Sequence, residues 1–182
     1  MPSPQKAKGN NFEREIANYL SDLYQESFIR APGSGAYVGG KNTSRTQILH
    51  EGQIRSFKGD IVPGQSFNLM NAECKSYKDF PFHQVLAGEC KVFDDWLGQM
   101  LTVAEPSDLN ILFMKFNRKG KFVAVQSNKT YVTDHFLYYT SKEHGDWIII
   151  EFDIFFRLNK DIFKAYCGTN STNIIDLKTS EN

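Results

Sequence analysis

The sequence predicts a mixed α/β domain, a central mixed β-sheet flanked by helices. Three observations carry this expectation. An amphipathic helix pattern occupies the N-terminal region, apolar strand-like runs with turn residues between them fill the middle, and a second amphipathic helix interrupts those runs. The order helix, strands, helix, strands does not divide the chain into separable halves.

Residues 10–26, NNFEREIANYLSDLYQE, place Phe12, Ile16, Tyr19, Leu20 and Leu23 at helical spacing with polar residues opposite. Asn10 or Asn11 is expected to cap this helix, leaving Glu13 and Glu15 in its first turn where they suit the dipole. SFIRAP reads as a short strand ended by Pro32. The stretch GSGAYVGGKNTSRTQILHEGQIRS, with five glycines and many polar residues, reads as a long loop of the kind that often carries function. FKGDIVPG and SFNLMNAECKSY read as two strands joined by a Pro-Gly turn, the second near-continuously apolar as a covered central strand would be.

Between Phe82 and Ala104 the second half is an amphipathic helix, and Gly88 separates it from a preceding turn. NILFMKF and KFVAVQ flank an NRKG turn as a hairpin, WIIIEF is a further strand, and DIFFRLNKDIFKAY closes as a helix before a polar tail. The chain of 182 residues, 41% hydrophobic, suffices for one ample core but not two. It is expected to be a single domain over residues 1–182, with a core of about 6–125, an extension of about 126–167 and a frayed tail from 168.

Composition excludes several function classes. No run approaches a membrane span, and MPSPQKAKGNN lacks the apolar segment of a secretory signal, so a cytoplasmic protein without membrane association is expected. Cys74, Cys90 and Cys167 are odd in number and show no metal-ligand spacing, which speaks against a disulfide scaffold or structural zinc. His50, His83, His135 and His144 are scattered, and neither glycine-rich stretch is followed by the Lys-Ser/Thr of a phosphate-binding loop. Net charge is zero, yet Arg30 to Lys58 holds five basic residues (Arg30, Lys41, Arg45, Arg55, Lys58) against Glu51 alone. Such a segment points to phosphate, though it also describes an ordinary solvated loop.

The chemistry concentrates at NAECKS. Residues two apart share a strand face, so Glu73 and Lys75 point together and Cys74 points away. If FKGDIV pairs beside that strand, Asp60 comes close to Glu73. Two converging carboxylates repel unless a cation lies between them, and hard oxygen donors suit Mg²⁺, with Mn²⁺ as a substitute. The ion would polarise a phosphate and acidify a water, and Lys75 would place positive charge beside it. A Glu-x-Lys triplet alone is common on exposed strands; the upstream Gly-Asp and the apolar Leu69, Met70 and Ala72 around it are what raise its weight.

Taken together, KGNNFEREIANYL, FIRAPGSG, GDIV and AECKSY resemble the PD-(D/E)XK nuclease superfamily, and within it the Holliday junction resolvases of archaea and some phages. The resemblance covers residues 6–125 or so and implies a restriction-endonuclease-like core. It implies that Asp60, Glu73 and the Cys74 backbone carbonyl bind Mg²⁺, that Lys75 assists hydrolysis, and that Glu13 is an additional acid. Arg14, Arg30 and Ser34 would contact DNA. The element reads RAPGSG here instead of the family's RSAGS, and the spacer to Asp60 is longer, so Lys41, Arg45, His50, Arg55 and Lys58 are read as an added DNA-binding segment. The function implied is a metal-dependent endonuclease cutting branched DNA in paired nicks, as a homodimer in an archaeal, bacterial or phage-infected cell. Two apolar stripes are candidate dimer surfaces: Val92, Phe93, Trp96, Leu97 and Met100, and the FFRLNKDIF segment; the helical periodicity of the first better fits a helix packed on the sheet. A related nuclease acting on ends, damaged or site-specific duplex, and a silent DNA-binding protein retaining the fold, remain alternatives.

Overall fold

The computed structural model describes residues 4–31 and 58–168. Its first element is helix α1 (Pro4–Tyr24), followed by strand β1 (Ile29–Arg30). After residue 57 come β2 (Ile61–Val62), a 3-10 turn (Gln65–Phe67), β3 (Met70–Tyr77), and helices α2 (Phe82–Leu86) and α3 (Lys91–Leu101). Strands β4 (Leu109–Phe116), β5 (Gly120–Gln126), β6 (Leu137–Ser141) and β7 (Gly145–Glu151) then lead into helix α4 (Phe152–Cys167).

A five-stranded sheet in the order β3-β4-β5-β7-β6 forms the centre. The β3–β4 pair is parallel and the remaining pairs are antiparallel, so the sheet is mixed as expected. The parallel pair needs a crossover, and α2 and α3 supply it. Strand β4 shows why the sequence runs apolar there: Ile111 and Phe113 enter one core while Leu112, Met114 and Phe116 enter the other. The first core is closed by α1 (Phe12, Ile16, Leu20) and α4 (Phe155, Phe156, Phe163), the second by α3 (Phe93, Trp96, Leu97, Met100). The result is a three-layer α/β arrangement consistent with a restriction-endonuclease-like fold. Residues 126–167 supply β6, β7 and α4 to this same sheet and core.

Several local expectations are corrected. Helix α1 begins at Pro4, so Asn10 and Asn11 lie inside it, and its first turn contains no acidic residue. Glu13 and Glu15 are thus mid-helix residues, and Glu13 is free to serve a site along the helix side. The FKGDIV strand does not form a hairpin with β3. Its strand portion, β2, pairs antiparallel with β1 through Ile29 to Val62 and Arg30 to Ile61. Strand β3 lies at the sheet edge, not its centre, although helices cover both faces and all but Tyr77 are buried. Strand β6 was not anticipated, since LYYTS is short and lacks a clean apolar alternation. Helix α4 is broken at Asn159, whose backbone leaves the helical region (φ −122°, ψ 15°). That side chain is fully buried and bonds Val132 through both its amide nitrogen (2.8 Å) and its carbonyl oxygen (2.6 Å). Gly88, with φ of +79°, makes the expected break between α2 and α3. The expected tail from residue 169 lies outside the described residues.

Both apolar stripes proposed as dimer surfaces are consumed within the chain. Phe93, Leu97, Phe155 and Phe163 are fully buried, and Trp96 and Met100 nearly so. The three cysteines are buried free thiols.

Gly59 is where the β1–β2 ribbon touches the sheet. A Cβ added there would lie 2.2 Å from the Ala72 carbonyl oxygen, a backbone atom that cannot swing aside. We expect Gly59→Ala to destabilise the protein by about 1–3 kcal/mol through this overlap, measured by urea unfolding. An unchanged midpoint would mean the ribbon does not approach β3 this closely.

Candidate active site

The outer edge of β3 has no neighbouring strand, so its outward-pointing backbone groups need other partners. Asp60 supplies them. Its N–H donates to the Ala72 carbonyl and its carbonyl accepts from Ala31, both at 2.8 Å. Its carboxylate Oδ2 accepts the Cys74 N–H, again at 2.8 Å. The N–H and C=O of one strand residue point the same way, so the Cys74 carbonyl also faces this open edge.

Glu73 and Lys75 project on the α3 face of β3. The Lys75 ammonium donates to Glu73 Oε1 and to Gln99 Oε1, each at 2.7 Å. Asn71, two residues earlier on that face, donates to the Met100 carbonyl at 3.1 Å, which fixes the strand against α3. From α1, Glu13 pairs with the Arg30 guanidinium, which also donates to Asn10 Oδ1 at 2.9 Å. Glu13, Asp60, Glu73 and Lys75 are all under 9% exposed, and for four ionisable groups that is costly without mutual compensation.

The electrostatics show how closely the acids are gathered. Burial first, then the Asp60 charge and a smaller push from Glu13, raise the Glu73 carboxyl to about 7 against the lowering effect of Lys75. Glu13 is raised too, first by burial and then by Asp60, against the lowering effect of Arg30 and Arg14. Three carboxylates therefore face two directly bonded cations, Lys75 and Arg30. A further positive charge at the β3 edge would relieve the mutual repulsion.

Among the described residues, no group of three or more His, Cys, Asp or Glu side chains forms a ready cage for a metal ion. The fitting donors are fewer and harder: the Asp60 and Glu73 carboxylates and the Cys74 carbonyl. This set suits Mg²⁺, which commonly takes one or two protein carboxylates and fills its shell with water and phosphate oxygens.

The other sequence-derived residues fall in three groups. Ser34, Lys41, Arg45, His50 and Arg55 lie outside the described residues. Arg14, next to Glu13 on α1, donates to Asn11 Oδ1 one turn earlier at 3.2 Å. Lys58 departs from its expected role: it is buried, with its ammonium 2.9 Å from Asp108 and 3.0 Å from Glu105, and braces the ribbon instead of facing solvent. Gln99 was not anticipated. As an exposed polar residue on an amphipathic helix it reads as surface, and only the fold brings it to Lys75. A cavity of about 880 Å³ beside His83, Asp94 and His144 contains none of these residues.

With this geometry in view, a family model described as "Phage putative PDDEXK endonuclease" matches residues 4–165, most of the chain. No curated protein and no solved structure matches it.

The Glu73 shift sets a pH dependence. An acid whose folded pKa is raised contributes fully below its unfolded value of 4.5 and weakens the fold as pH rises through about 7. In EDTA, the wild-type melting temperature should therefore fall by about 3–6 °C between pH 6 and pH 8 relative to Glu73→Gln. Mg²⁺ at pH 8 should restore most of that loss in the wild type alone. Parallel pH profiles of the two proteins would show that Glu73 does not carry this strain.

Proposed function

The chain belongs to this phage PDDEXK endonuclease family, within the PD-(D/E)XK nuclease superfamily, and on that premise we propose that it hydrolyses DNA phosphodiesters at the β3 edge with Mg²⁺, cutting four-way junctions by paired nicks. The observation that carries the reading is the meeting of Asp60, Glu73 and Lys75 at one open strand edge, with Glu13 beside them. The resemblance of KGNNFERE, RAPGSG, GD and ECK to junction resolvases supports the choice of branched DNA.

Asp60, Glu73 and the Cys74 carbonyl would hold the ion. Bound there, Mg²⁺ supplies charge that polarises the scissile phosphate and makes the attacking water more acidic. The chain does the rest. Lys75, steered by Gln99 and Glu73, orients the water for attack in line with the leaving oxygen and offsets charge building on the phosphate. As the water oxygen bonds to phosphorus, the opposite phosphorus–oxygen bond breaks and leaves one hydroxyl and one phosphate end. Arg30 and Asn10 hold Glu13 at the margin of the site, where it supports the water. Arg14 and the basic residues between 41 and 55 are assigned to DNA phosphates.

A second reading, a related nuclease acting on ends, damaged or site-specific duplex, is favoured by one observation. The α3 and α4 stripes that could have paired two copies are buried in the monomer core. A homodimer able to nick two strands symmetrically would have to use other surface.

The test is cleavage of a labelled four-way junction beside a linear duplex of matching sequence, with Mg²⁺ and with EDTA. Symmetric paired nicks confined to the junction are expected with Mg²⁺ alone; equal cutting of both substrates would select the second reading. Asp60→Asn should lower the cleavage rate about a hundredfold to a thousandfold while junction binding stays within a few-fold of wild type. A variant that cuts at the wild-type rate would remove Asp60 from the mechanism, and tight binding without cutting by the wild type would indicate a silent binding protein.

A further inference from the structure

Strand β3 does not end at Lys75. Tyr77 is the next residue on the face that carries Glu73 and Lys75, about 6.5 Å further along the strand. It is 37% exposed, in a strand otherwise buried. Singly exposed aromatic residues are ordinary, and exposure by itself means little. What distinguishes Tyr77 is how its ring is held.

Tyr77 stacks on Trp96 of α3, with centroids 5.0 Å apart and planes 25° apart. Trp96 stacks on Phe80 at 5.4 Å and 23°, and Phe80 on Phe116 at 5.0 Å and 13°. The three rings beneath are each 6% exposed or less. Trp96 also lies 6.4 Å from Phe116, so Tyr77 is the partly exposed member of a cluster of four near-parallel rings whose other three are buried in the core. Its backbone is equally fixed, since its carbonyl accepts from Lys8 Nζ at 3.2 Å and from the Asn117 N–H at 3.3 Å. A rigid aromatic face loses little conformational freedom when a flat group settles on it.

The charged residues at this end of β3 are mostly basic. Lys8 donates to the Tyr77 carbonyl and to Asn117 Oδ1 at 2.6 Å, both neutral oxygens that leave its charge in place. Lys78 adjoins Tyr77, and Arg118 and Lys119 occupy the turn after Asn117. Asp79 offsets Lys119 at 2.6 Å. Aromatic stacking combined with backbone-tracking cations is the chemistry that holds an unpaired nucleotide, because every base presents a flat face. A base inside an intact duplex cannot present that face.

We propose that Tyr77 is a stacking platform for an unpaired nucleobase next to the scissile phosphate, with Lys8 and Lys78 receiving the adjoining phosphates. The proposal rests on the nuclease reading of the β3 edge and adds a preference to it: DNA that is single-stranded or opened at a branch is favoured over flush duplex. Tyr77 is a specificity residue and takes no part in the bond-making step.

The test is fluorescence anisotropy in EDTA with three labelled probes of equal length: a single strand, a blunt duplex, and a single strand carrying abasic sites in its central third. Wild type should bind the normal single strand about tenfold more tightly than the abasic one, a comparison that needs no variant. Tyr77→Ala should erase that difference and leave duplex binding within twofold, while Tyr77→Phe and Tyr77→Trp keep it. Equal binding of normal and abasic strands by the wild type would overturn the platform, as would a Tyr77→Ala loss of the same size on duplex and single strand. Failure of the wild type to bind or cut any DNA would instead remove the nuclease reading, and the platform with it.

Discussion

The candidate site hangs on the attachment of Asp60 to the outer edge of β3. One residue fills three roles there: its N–H satisfies the Ala72 carbonyl, its carbonyl receives the Ala31 N–H, and its carboxylate receives the Cys74 N–H. A bare strand edge invites pairing with another chain, and here the backbone and side chain of Asp60 bond part of it. The fit requires Gly59, because any side chain there would strike the Ala72 carbonyl. The edge is thereby protected over part of its length.

That attachment also creates the charge problem that defines the chemistry. Asp60 brought against β3 confronts Glu73 and Glu13, and burial makes each of their negative charges harder to keep. Lys75 and Arg30 compensate part of it through direct pairing. Breaking such a buried pair costs far more than the pair contributes, so the arrangement is poorly suited to plain stabilisation and well suited to holding a cation and a phosphate. Strain of this kind collects at functional sites, where the fold elsewhere compensates for it. The two apolar cores on either side of β4 supply that compensation here.

Much of this was legible in the sequence because the key signals are local. The period-two spacing of Glu73 and Lys75, the Gly-Asp pair, the helical spacing from Phe12 to Leu23 and the break at Gly88 each depend on residues only a few positions apart. What escaped depends on distant ones. The pairing of β2 with β1 joins residues more than 30 positions apart, so the nearer β3 looked like the natural partner. Lys58 read as a DNA-binding cation because its partner Asp108 comes fifty residues later. Gln99 and Asn159 read as a surface residue and a mid-helix polar residue; the first meets Lys75 across the α3–β3 interface, and the second is drawn inward by the backbone at Val132. The apolar stripes on α3 and α4 were read correctly as faces that must be covered, but periodicity cannot say whether a sheet or a second copy covers them.

The division of the sheet into near and distant pairings has a consequence for how the protein is made. Strands β4 and β5 join through a tight turn, β6 and β7 through another, and α4 follows directly, so this half closes short loops at small entropic cost. The half that bears Asp60, Glu73 and Glu13 must close long ones, across the α2–α3 crossover and across the stretch from β1 to β2. Folding rates fall as contacts grow more distant in sequence, which places the β1–β2 ribbon among the last parts to dock. A newly synthesised chain would then hold a compact core before it holds its carboxylates together. The capacity to cut DNA would arrive only when the molecule is finished.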